Sequence, residues 1–174
     1  FLFVTTLYLQ DIRGMSALAA GLSLLPVGVL IVLLSPLTGR LVGSRGPRLP
    51  LVVAGTALAS AGALSTFIGP ATPLPALLAV YLLIGIAMGT VNAPITNTAV
   101  SGMPLSMAGV AASLASTGRQ TGTTLGVAIA GTIVGSALPR GGSAFTTAEH
   151  GVWWLLVGLG LGVVALGLLS TGRW

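Results

Sequence analysis

The chain is poor in charge. Of its 174 residues only 5% are Asp, Glu, Lys or Arg, against roughly a quarter in soluble globular domains. So few charges cannot solvate a surface of this size, so the sequence reads as an integral membrane protein. Cysteine is absent, which excludes disulfides, thiolate nucleophiles and cysteine metal sites. One histidine, His150, and two acids, Asp11 and Glu149, are too few for a metal cage. Lysine is absent too, and all seven basic residues are arginine, which we read as coding bias. The net charge of +5 is no nucleic-acid footprint, because the arginines punctuate apolar runs and do not cover one face. Neither a Gly-x-Ser-x-Gly elbow nor a His-Glu-x-x-His pair occurs, so no enzyme activity and no cofactor are expected.

What is present is apolar: 54% of the residues are hydrophobic, arranged in long runs. The expected fold is all-α: a transmembrane bundle of six segments over residues 1–174. The spans are expected at about 1–9, 17–37, 50–68, 76–100, 105–135 and 152–169. The first is truncated. Nine helical residues cover about 13 Å, under half of a bilayer core of about 30 Å. The chain opens on Phe1-Leu2-Phe3-Val4 without a basic leader, so it reads as a fragment that enters partway through a membrane helix. Ser16 is placed to cap the second segment. Pro26 within it, and Pro94 within the fourth, each remove a backbone hydrogen bond and mark expected hinges. Gly69 to Pro75 reads as a tight uncharged loop, residues 138–150 as a polar loop, and Trp153 and Trp154 as interface anchors.

Orientation rests on Gly39 to Arg48, read as a basic hairpin between two apolar runs. Arg40, Arg45 and Arg48 cluster there, and arginine beside apolar spans marks the cytoplasmic side. Asp11 and Arg13, then Arg140 and Glu149, fall outside and nearly cancel, and Arg173 falls inside.

The fifth segment carries the candidate chemistry. Ser113, Ser116, Thr117, Gln120 and Thr124 share one helical face, and Gly118, Gly122 and Gly126 share the opposite one. The glycine stripe permits close approach of a neighbouring helix. The polar stripe either lines a cavity or consists of hydroxyls bonded back to the helix. Arg119 is the one charge well inside a span. It either borders the cavity, paired with an acid from elsewhere, or reaches out to the interface. On the fourth segment Gly85, Gly89, Asn92 and Thr96 share a face, the glycines for packing and Asn92 and Thr96 for a cavity wall. Asn97 reads either as cavity wall or as interhelical hydrogen bonding. The expected partners are the lipid bilayer and a small-molecule substrate.

Two stretches resemble a known family. Gly39, Leu41, Gly46 and the basic Arg48 match the loop motif Gly-x-Leu-x-Asp-Arg-x-Gly-Arg-Lys of major facilitator transporters, with Gly43 at the acidic position. Tyr8-Leu9-Gln10, Leu24-Leu25-Pro26 and Arg119 to Ala128 are similar to the fourteen-helix drug–proton antiporter branch. The resemblance implies one half of a major facilitator fold, the C-terminal one, whose partner is the N-terminal half. It also implies proton-coupled efflux of small molecules across a bacterial plasma membrane by alternating access, with Gly39, Arg40, Arg45, Gly46 and Arg48 as the conformational loop. The alternatives are a sugar, metabolite or peptide transporter of the same superfamily, or a non-transporting membrane scaffold.

Overall fold

The computed structural model describes residues 1–100, 104, 107–135 and 142–169. Its regular structure is all helical, with no strand among the described residues. Helix α1 spans Leu2–Leu7 and runs into a π-helical turn, Tyr8–Ile12. Then come α2 (Ala17–Arg45), α3 (Arg48–Ser65), α4 (Leu74–Val100), α5 (Ala108–Gly135) and α6 (Gly142–Leu169). Four stretches are long and apolar enough to cross a membrane: Ala17–Arg45, Arg48–Ser65, Leu74–Thr98 and Thr147–Leu169. Helix α5, at 28 residues, has the length but not the apolarity, because Arg119, Gln120 and a run of hydroxyls occupy its middle.

Local chemistry sets the boundaries. Ser16 is extended, and its Oγ accepts from the Ala19 N–H at 3.2 Å, capping α2 as expected. Helix α2 does not stop near residue 37. It carries both Pro26 and Pro36 in its interior and continues to Arg45, since neighbouring groups in a membrane bundle compensate for a proline's missing donor. The expected basic hairpin is therefore mostly helix, and the break is confined to Gly46 and Pro47. Gly46 has φ +80°, a conformation open to glycine and strained for other residues. The first segment also runs further than expected, because Gln10, Asp11 and Ile12 lie in the π-helical turn.

Two further expectations are corrected. Residues 142–150 are not a polar loop but the first turns of α6, and Glu149 there is fully buried. Trp153 faces the core at 3% exposure, leaving Trp154 as the exposed indole. The charges Arg140 and Arg173 lie outside the described residues.

Glycine decides how closely the helices approach. Helix α3 packs chiefly on α6, and α4 chiefly on α2. A Cβ built on Gly55 would lie 2.6 Å from the Gly160 carbonyl oxygen, and one on Gly62 would lie 2.8 Å from that of Trp153. Gly85 and Gly89 of α4 press in the same way on Leu30 and Leu34 of α2, each at 2.9 Å. Small residues spaced by three or four allow this contact in a membrane, where hydrophobicity does not drive helices together.

The core sits mostly at one end. Val4, Tyr8, Leu9, Leu77, Tyr81, Ile84, Val134 and Trp153 belong to one buried cluster. These residues come from the ends of α1, α4, α5 and α6 that lie opposite the Arg45–Arg48 turn.

Candidate functional site

Helix α5 touches the rest of the bundle sparsely, through α4, α6 and α1. Nearly all of its middle is open: Ser113, Ser116, Thr117, Arg119, Gln120 and Thr124 are exposed. Ser113 donates to the Val110 carbonyl at 2.8 Å, and Thr124 to that of Gln120 at 3.0 Å, so these two hydroxyls bond back to their own helix. Arg119 and Gln120 make no ion pair or hydrogen bond through their side chains with a described residue. The glycine stripe is equally open: a Cβ at Gly118, Gly122 or Gly126 would meet nothing within 4 Å. Among the described residues the stripe packs against no helix, and the close contacts fall instead on glycines of α3, α4 and α6.

The face of α4 divides. Gly85 and Gly89 are covered by α2, whereas Asn92, Thr96 and Asn97 beyond them are exposed. Asn92 donates to Met88 O at 3.0 Å, and Thr96 to Asn92 O at 3.0 Å. Thr96 and Asn97 border an open groove of about 360 Å³ with Ala93 and with Gly39 and Val42 of α2. Pro94 is buried between the two sides. Arg40, Arg45 and Arg48 lie at the α2–α3 junction, and Arg40, Arg45 and Ser44 are exposed. Among the described residues no group of three or more His, Cys, Asp or Glu could hold a metal ion.

At the opposite end lies a feature that the sequence reading did not identify. Glu149 is 0% exposed, yet neither carboxyl oxygen has a hydrogen-bond partner among the described residues. The Tyr81 hydroxyl and the Trp153 Nε1 are likewise buried and unpartnered. All three residues line one small pocket of about 10 Å³, with Thr5, Tyr8 and Ser65 in its walls. The Phe1 ring packs edge-on to Tyr81, with centroids 5.9 Å apart. Two contacts close this end. Tyr8 donates to the Gly69 carbonyl at 2.6 Å, and Arg13 donates to that of Thr72 at 2.6 Å. Both acceptors lie in the loop between α3 and α4. A buried charge without a partner is costly, so an unpaired acid there points to function.

The site candidates thus fall on two surfaces. Arg119, Gln120, Ser116 and Thr124 lie on α5, and Asn92 and Thr96 lie on α4, all of them open.

Comparison with known proteins bears on what covers them. The family model of the Major Facilitator Superfamily matches residues 1–127. The multidrug resistance protein Stp of Mycobacterium tuberculosis is 32% identical over 137 residues, 79% of this chain and 25% of that protein. The puromycin resistance protein pur8 of Streptomyces alboniger is 36% identical over 155 residues, 87% of this chain and 30% of that protein. The tetracenomycin C resistance and export protein of Streptomyces glaucescens is 32% identical over 78% of this chain and 25% of that protein. The chain therefore spans a quarter to a third of the length of these relatives.

Proposed function

The chain belongs to the Major Facilitator Superfamily, and from that premise we propose that it is the C-terminal half of a proton-coupled exporter of small amphipathic or cationic compounds. The transporter works by alternating access in a bacterial plasma membrane, with the Arg45–Arg48 turn on the cytoplasmic side. The observation that carries this reading is the uncovered polar face of α5. Arg119 and Gln120 stand exposed at mid-helix, and such groups do not face lipid without cost. Protein or water must cover them, and a second helical bundle enclosing an aqueous cavity does both. A second open groove, between α2 and α4, is bordered by Thr96 and Asn97. Relatives named for resistance to puromycin and for export of tetracenomycin C support small-molecule efflux over sugar or peptide uptake. Arg40, Arg45 and Arg48 on one side fit the positive-inside bias.

The test uses the full-length protein reconstituted into vesicles, with an imposed pH gradient and a panel of cationic dyes and antibiotics. The expected result is gradient-driven movement of at least one compound, abolished by a protonophore. Uptake of sugars or peptides with no export of any dye or antibiotic would overturn the reading.

A further inference from the structure

We propose that Glu149, Tyr81 and Trp153 form a proton-binding site built around one bridging water. The three side chains have complementary needs. Trp153 Nε1 is only a donor, the Tyr81 hydroxyl both donates and accepts, and a protonated Glu149 carboxyl donates through its O–H and accepts at its other oxygen. None of these atoms has a partner among the described residues, yet all three residues border the same pocket of about 10 Å³. That volume is of the order of a single water, and a buried water makes two to four hydrogen bonds to such groups. A water there accepts from Trp153 and links Glu149 to Tyr81, so each of the three side chains gains a partner.

The surroundings decide which form of the carboxyl the pocket holds. The π-helical turn presents Tyr8, and α4 presents Tyr81. Helix α3 presents Ser65, and α5 contributes the apolar Ala130, Ile133 and Val134 to the surrounding cluster. Phe1 also lines the pocket; in a longer chain its nitrogen belongs to a peptide bond and carries no charge. Arg13 is engaged with the Thr72 carbonyl, and no ion pair to Glu149 forms among the described residues. His150 follows Glu149 in sequence and is half-buried. Without a cation to pair with, the buried carboxyl is held in its neutral form, carrying one proton. The pocket lies beneath the contacts of Tyr8 and Arg13 with the loop between α3 and α4. The site therefore lies on the side of the bundle away from the arginine turn.

Protonation of Glu149 is independent of the transport reading, while its part in coupling rests on it. The two are tested separately on the full-length protein. Infrared difference spectra of wild type against Glu149→Gln at neutral pH should show a carboxylic C=O band lost in the variant. A carboxylate band in its place overturns the site. In vesicles, Glu149→Gln should lower gradient-driven export by about tenfold or more, and Glu149→Asp should recover part of it, with both variants monodisperse. Undiminished export by Glu149→Gln overturns the coupling role. A wild type indifferent to the gradient overturns the proton-coupled reading instead, and the infrared band still decides the site.

Discussion

Gly55 of α3 and Gly160 of α6 meet backbone to backbone. A Cβ on Gly160 would lie 2.7 Å from the Gly55 carbonyl oxygen and 2.5 Å from the Ala59 nitrogen. Neither neighbour is a flexible side chain that can move aside. Gly160→Leu should therefore destabilise the full-length protein by about 1–3 kcal/mol or more, the range for overpacking. Gly158→Leu, where a Cβ meets nothing within 4 Å, should be nearly neutral. Thermal unfolding in detergent reads both. Equal melting temperatures for the two variants would show that the α3–α6 seam does not control stability.

Orientation is open to direct labelling, because the chain has no cysteine of its own. Ser44 and Ala71 are exposed at opposite ends of the bundle. Ser44→Cys should react only with a thiol reagent delivered from the cytoplasmic side, and Ala71→Cys only from outside. Outside labelling at position 44 would invert the assignment.

Arg119 should matter for transport and little for folding. It is exposed in this chain, so its truncation removes no internal contact. A hydrogen bond to a charged group contributes about 1.5–3 kcal/mol, so Arg119→Ala should reduce export by about tenfold or more while expression persists. Arg119→Lys keeps the charge but loses the planar fork, and should fall between. Wild-type export from Arg119→Ala would make Arg119 an interface residue outside the cavity.

The tie between Tyr8 and Gly69 should control opening at the outer end. Tyr8→Phe keeps the ring and removes a hydrogen bond of 2.6 Å. A contribution of about 1 kcal/mol corresponds to roughly fivefold faster amide exchange across residues 66–73. Unchanged exchange there would show that the loop is held by other contacts.

Much of this architecture was legible from residue order. Apolar runs located the helices, Ser16 gave a cap, and the Gly85–Gly89 pair gave a tight face. Periodicity alone did not rank the glycines. The stripe of Gly118, Gly122 and Gly126 has the same spacing, yet α5 lies open, because spacing shows that approach is permitted and not which neighbour arrives. The arginine turn misled through composition: polar residues suggested a loop, but a helix that ends beyond the apolar core carries charges without breaking. Glu149 was hidden for the same reason. Its neighbours Thr146, Thr147 and His150 look like loop. The signal was the four-residue step from Glu149 to Trp153, continued by Gly160, Val164 and Gly167. That ridge faces α3, and an acid on it is buried by geometry whatever its polarity.

The uneven placement of the core makes the bundle a pair of tongs. The interlocked end around Leu9, Leu77 and Tyr81 acts as the pivot, and α4 runs from Tyr81 to Val100 as an arm of about 30 Å at 1.5 Å per residue. A tilt of about 5° at the pivot then carries the far tip through about 2–3 Å. Small repacking around the aromatic cluster is thereby magnified at the arginine-bearing tips.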